Sequence, residues 1–201
     1  MNRIITIGRE FGSGGRELGR HIAGELGIAY YDREIVAEIA KRTSMSENYI
    51  QQIVERRPVT AFPVHVGRSF ALPLISPVWE QGQVIFQEQH SIIREMAQKS
   101  DCVIVGRCAD YILREQKPLR LFIYSDMESK MARCRANGED AAKMTDKELK
   151  QHINEVNKSR AKYYEFYTGQ IWGDRMNYDL CVNTTGIDIA KAAALVTGLI
   201  G

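Results

Sequence analysis

Long apolar stretches are missing from this 201-residue sequence: none approaches the run of about 18 residues that crosses a bilayer. The apolar segment at 4–7 is too short for a secretory signal and runs straight into a glycine turn, so neither export nor membrane attachment is expected. Cysteine is scarce as well. Cys102, Cys108, Cys134 and Cys181 lie far apart and make no CxxC pair, which speaks against a metal centre or disulfide framework and for thiols in a reducing compartment. A cytoplasmic location is therefore expected. An excess of one charge is lacking too, since 27 basic and 25 acidic residues leave a formal net charge of +2. A dedicated nucleic-acid binder carries a strongly basic face, so no nucleic-acid partner is expected. A phosphate-binding enzyme needs only a local knot of cations, which a near-neutral total hides.

What is present suits one compact α/β domain over 1–201, with 44% hydrophobic residues to build a core. Residues 3–8 alternate like a short buried strand, and 15–26 carries Leu18, Ile22 and Leu26 at helical spacing before the stop at Gly27. A second strand is predicted at 29–31, ending at Asp32, then a helix over 33–42. A capping box at 44–47 predicts a further helix to about residue 57. Four of the five prolines fall within 58–77, together with the apolar run 70–75. That stretch reads as a loop-rich insert that either shapes a site or is a structural excursion, and its apolar run is also a candidate interface. Oligomeric state is not legible.

Helical spacing returns over 78–99. Residues 102–105 and 119–124 are continuous apolar runs of the kind that form central parallel strands. Capping boxes at 125–128 and 145–148 predict helices toward 136 and 167. A last strand at 180–183 and a helix over 185–200, with Asp188 near its start, complete the chain. Strands alternating with helices predict a three-layer α/β fold: a parallel sheet with helices on both faces.

The chemistry-bearing segment is GREFGSGGRE at 8–17. A strand, a glycine-rich turn and a helix in succession gather backbone N–H groups and the positive end of a helix dipole around one point. Glycines there permit positive φ and let the backbone approach a phosphate without a Cβ between them. Against the P-loop pattern G-x-x-x-x-G-K-S/T, Gly15 fits the second glycine and Arg16 stands where lysine belongs. Glu10 replaces the first glycine, and Glu17 replaces the hydroxyl residue that holds magnesium. Ser13 is the one hydroxyl in the loop and the candidate metal ligand. The rival G-x-G-x-x-G fingerprint would use Gly12 and Gly14 but meets Glu17 where its last glycine belongs.

Together GREFGSGGRE (8–17), YYDRE (30–34), VIVGR (103–107) and YDLCVNT (178–184) resemble the cytidylate kinase-like family, in the right order over most of the chain. That resemblance implies a P-loop NTPase fold with small inserts: acceptor-side helices and insert over about 33–99, and a lid over about 126–168. It implies ATP and Mg2+ as cofactors and a nucleotide as small-molecule substrate. Gly12, Ser13, Gly14, Gly15, Arg16 and Glu17 would hold the ATP phosphates, with Arg133 from the lid and Thr184 near the adenine. Asp32, Arg107 and Arg135 would meet the acceptor. Arg16, Arg107 and Arg160 would act in transfer, because phosphoryl transfer asks chiefly for positioning and for positive charge around the equatorial oxygens.

Asn157, Arg160 and Tyr164 share one face at i, i+3, i+7, whereas Lys158 and Lys162 lie on another that reads as solvated. Tyr163, Tyr164, Phe166 and Tyr167 read as packing rather than as a base-stacking platform. No role follows for His21, His65, His90 or His152. Three functions fit: an ATP-dependent kinase of nucleoside monophosphates, with CMP or dCMP as acceptor; a kinase of another small metabolite; or a nucleotide-binding regulatory protein without transfer.

Overall fold

Period-two burial along the strands sets the architecture. In a computed structural model, which describes residues 2–55 and 77–200, β1 (Ile4–Arg9) sends Ile5 and Ile7 to one face and Ile4 to the other. β3 (Cys102–Val105) does the same with Val103 and Val105 against Cys102 and Ile104, all four fully buried. Both strands are apolar on both faces because both faces are covered. With β2 (Ala29–Tyr31), β4 (Leu119–Tyr124) and β5 (Leu180–Asn183) they form a five-stranded sheet of order β2-β3-β1-β4-β5, in which every pairing is parallel.

On one face α1 (Gly15–Leu26) and α9 (Ile189–Ile200) bury Leu18, Ile22, Ala193 and Val196 against β1, β3 and β4. On the other, α2 (Arg33–Thr43), α3 (Glu47–Glu55), α4 (Pro77–Lys99) and the short α5 (Ala109–Ile112) pack with Ile35, Ile39, Ile50, Ile85 and Ile93 at their centre. The stretch expected to form a lid holds α6 (Met127–Asn137), α7 (Glu139–Lys143) and α8 (Asp146–Thr168). The α/β fold with a parallel sheet and helices on both faces is thus observed. No helix among the described residues is long and apolar enough to cross a membrane. The insert expected within 58–77 lies outside the described residues up to 76, and Pro77 opens α4.

The helix starts divide. Thr145 caps α8 as expected, its hydroxyl accepting from the Glu148 N–H while the Glu148 carboxylate accepts from the Thr145 N–H. Three other starts are shifted. Ser44 adopts φ 55° and ends α2, and Ser46 accepts the Tyr49 N–H instead. Asp126, not Ser125, caps α6 by accepting from the Ser129 N–H at 2.8 Å. Asp188 accepts from the Lys191 N–H at the head of α9, so that helix begins at Ile189 rather than 185.

Because all strands are parallel, their carboxyl ends meet at one edge. Arg9, Asp32, Gly106-Arg107, Ser125 and Thr184 are the residues at or just beyond those ends. Open α/β sheets bind their ligands there.

Candidate active site

The glycine turn leads from β1 into α1 with Gly12 at φ 76° and Gly14 at φ 82°, conformations that β-carbons disfavour. Gly14 is the residue before the first helical turn, so the loop and the helix N-terminus share one focus. Room is limiting as well: a Cβ on Gly12 would lie 2.9 Å from the Lys130 carbonyl oxygen, and one on Gly14 2.5 Å from Ile189 Cδ1. In front of the loop lies a cleft of about 890 Å3, roofed by α6, α7 and α8. That is nucleotide-sized. Six arginines line it (Arg9, Arg16, Arg20, Arg33, Arg133, Arg160) against the acids Glu10, Glu17 and Asp140. Glu10 is already neutralised by Lys130, whose side chain is nearly buried. The surplus of positive charge suits a polyphosphate.

At the end of the sheet Arg16 and Arg9 meet Asp32, a residue 5% exposed, with Arg160 and Arg107 beside Arg9. Arg16 Nε donates to its Oδ2 at 2.9 Å, and Arg9 Nη2 stands 3.9 Å from Oδ1. Arg160 Nη1 donates to the Arg9 carbonyl at 3.2 Å, and its guanidinium lies over the Phe11 ring. Arg107 follows β3 in a left-handed run, with φ 71°, 59° and 54° at Gly106, Arg107 and Cys108. Its carbonyl accepts from the fully buried Gln89 side chain at 2.9 Å. Strain of this kind concentrates where a side chain must be aimed.

A smaller cavity of about 50 Å3 opens beneath, lined by Arg9, Arg107 and Arg160 together with Asp110, Tyr164 and Trp172. Burial pushes the Asp110 carboxyl above its ordinary value, an effect its hydrogen bond from Tyr164 opposes. Tyr164 Oη lies 2.6 Å from Asp110 Oδ2 and 2.9 Å from Gln170 Oε1. One phenolic proton cannot serve two acceptors, so either Asp110 carries a proton or the Gln170 amide presents its NH2.

The expected residues separate into two groups. Gly12, Gly14, Gly15, Arg16, Glu17, Arg133 and Arg160 line the cleft, Arg107 lines the cavity, and Asp32 joins the two through its arginines. Three others are elsewhere. Ser13, the candidate magnesium ligand, is fully buried and donates its hydroxyl to the Glu10 carbonyl at 2.8 Å. Thr184, expected near the adenine, is fully buried and ties β5 to the loop by donating to the Ser13 carbonyl at 2.8 Å. Arg135, expected on the acceptor, is held between α6 and α8, where it pairs with Asp146 and reaches the Ala141 and Met144 carbonyls.

Missed residues include Arg9, Arg20, His21, Arg33 and Asp110. Arg16 and Arg20 stand at i, i+4 on α1, a signal that could have found the second. Tyr163, Tyr164 and Tyr167 are packing residues as expected, with Tyr167 stacked on Phe86 at 4.0 Å, whereas Phe166 is exposed.

The loop and its cations fit the phosphates of ATP. Among the described residues no three His, Cys, Asp or Glu side chains form a metal cluster. Magnesium commonly keeps waters and substrate phosphate oxygens as most of its ligands, with one or two carboxylates, so Glu17 at the cleft wall is the fitting protein donor.

A parallel sheet with a glycine-rich turn between its first strand and first helix, and a cationic cleft in front, defines a P-loop protein of the kinase type. The chain belongs to the cytidylate kinase-like family, which it matches over residues 4–186. No curated protein matches it in sequence. Among solved structures it is similar to an uncharacterized protein from Eubacterium ventriosum ATCC 27560, at 26% identity and TM-score 0.70 over 98% of each chain. It also shares its fold with shikimate kinases from Acinetobacter baumannii (16% identity, TM-score 0.56, 100% and 93% covered) and Bacteroides thetaiotaomicron (14%, 0.60, 100% and 99%). Family and fold together support a phosphotransferase.

Proposed function

We propose that the protein transfers the γ-phosphoryl group of ATP to a nucleoside monophosphate, with CMP or dCMP as acceptor. One observation carries this reading: the nucleotide-sized cleft and the smaller cavity meet at a knot of arginines, so a donor phosphate on one side faces an acceptor anion on the other. The cleft holds ATP with its phosphates on the loop, and magnesium supplies charge neutralisation at the β- and γ-phosphates. Arg107 and Asp32 orient the acceptor. An oxygen of the acceptor phosphate, already anionic near neutral pH, attacks the γ-phosphorus. The bond to the β,γ-bridging oxygen breaks and its electron pair leaves with ADP, so no general base is needed.

The nearly buried Asp32 carboxylate favours a second reading, in which a small hydroxylated metabolite is the acceptor and Asp32 takes the hydroxyl proton. One solved relative in fold is a shikimate kinase bound to shikimate. A third reading, nucleotide binding without transfer, draws on the absent lysine and hydroxyl of the loop.

The test is ADP formation from magnesium and ATP with a panel of nucleoside monophosphates, small alcohols and a no-acceptor control. ADP that depends on CMP or dCMP supports the proposal. ADP with an alcohol and none of the nucleotides overturns the acceptor, and ATP binding without ADP from any of them overturns transfer.

A further inference from the structure

Arg9 leaves β1 one residue before the loop proper, and the chain is shaped around its side chain. A Cβ on Gly15 would lie 2.6 Å from Arg9 Cβ, and one on Gly106 would lie 1.7 Å from Arg9 Nη1. The stem therefore passes beneath the start of α1, and the guanidinium fills the space a side chain on Gly106 would take. Both glycines are needed to admit it.

The Arg9 side chain is 11% exposed, and its Nε has no hydrogen-bond partner among the described residues. Asp32 at 3.9 Å is the carboxylate in ion-pair reach among those residues, and Arg16 claims it at 2.9 Å. Burial and the neighbouring Arg160, Arg107 and Arg16 all oppose the charged form of Arg9. Arg9 is thus a nearly buried cation that shares the Asp32 carboxylate with the closer Arg16, which leaves its charge only partly balanced. Arg9 and Arg160 also line both the cleft and the cavity, so they stand where the two meet.

The geometry points to Arg9 as a further catalytic residue: from the end of β1 it grips the phosphoryl group passing between cleft and cavity. It thereby supplies from the strand the charge that the absent loop lysine would supply from the helix. Arg16 is in the lysine position but is turned toward Asp32. Arg9 stays protonated throughout. The acceptor oxygen forms the new bond to phosphorus, ADP departs with the bridging oxygen's electron pair, and the guanidinium binds the equatorial oxygens between them.

This inference rests on the transfer reading, and two measurements separate their failures. Arg9→Met keeps the stem that packs against Gly15 and Gly106 while removing the charge. Calorimetric titration with magnesium and a non-hydrolysable ATP analogue, then with ADP, isolates the γ-phosphoryl contact. The expected result is at least tenfold weaker analogue binding, unchanged ADP binding, and a hundredfold or greater loss of kcat on whichever acceptor the wild type uses. Arg9→Lys should recover part of each. Equal analogue affinity in Arg9→Met and wild type, with matching melting temperatures, overturns the role of Arg9 whatever the acceptor proves to be. Should Arg9→Met fail to fold, Arg9→Gln carries the test: wild-type kcat and analogue affinity there, with the charge removed, would likewise overturn it. A wild type that turns over none of the acceptors defeats the transfer reading, while the analogue titration still decides whether Arg9 meets a γ-phosphate.

Discussion

Gly106 illustrates how one missing methyl group shapes the site. Its φ of 71° and the Arg9 guanidinium lying against it leave no place for a side chain. Gly106→Ala should add about 1–2 kcal/mol of backbone strain. It should also displace Arg9, giving a lower melting temperature and a loss of phosphoryl transfer larger than that loss of stability explains. Unchanged kinetics in the folded variant would refute the fit described for Arg9. At this scale the sequence was only half legible. The place of the glycines and Arg16 at the cleft could be read from their order in the strand–turn–helix segment, because backbone geometry restricts what such a turn does. Ser13, Thr184 and Arg135 could not, because their hydroxyls and guanidinium are taken by backbone carbonyls and, for Arg135, by Asp146 as well. Those carbonyls become neighbours only when the chain folds. Arg9 was overlooked because its neighbours Asp32, Gly106 and Arg160 arrive from far along the chain.

Among the elements, α8 matters most to the loop. Asn157 Oδ1 accepts the Phe11 N–H at 2.7 Å and Arg160 reaches the Arg9 carbonyl, so one face of the helix grips the glycine turn at two points. Asn157→Leu leaves the Phe11 N–H unpaired, at about 1–3 kcal/mol. The expected outcome is a raised KM for ATP with little change in that for the acceptor, measured by varying each in turn. A uniform rise in both would mean that α8 serves stability alone. The shared face was visible from spacing, since i, i+3, i+7 is set by helix geometry. Helix starts were less visible. Where two capping residues compete, as at Ser44 and Ser46 or Ser125 and Asp126, local sequence allows either, and the tertiary contacts of the flanking residues decide. At Thr145 the adjacent Asp146 is taken by Arg135, and the expected box formed.

For the whole molecule, the carboxyl buried under the arginine knot predicts how stability follows pH. Asp110 has its affinity for a proton raised above the ordinary value of 3.8 by burial. Below that value both folded and unfolded chains hold the proton, and the stabilisation is complete. As pH climbs, the unfolded chain releases its proton first, so stability falls until the folded-state value is passed. Asp110→Asn should therefore lose less stability than the wild type as pH rises from about 4, seen as diverging melting temperatures. Parallel curves would contradict it. The parallel sheet with helices on both faces follows from the alternation of strands and helices, which is why the architecture was legible when the strand order and the cavity beneath were not. One clasp has a further consequence. Thr184 bonds the Ser13 carbonyl, and Ile189 packs on Gly14, joining positions more than 170 residues apart. During synthesis the phosphate cradle thus lacks a wall until nearly all of this sequence has emerged, and a nascent chain halted before residue 184 has no completed seat for a nucleotide.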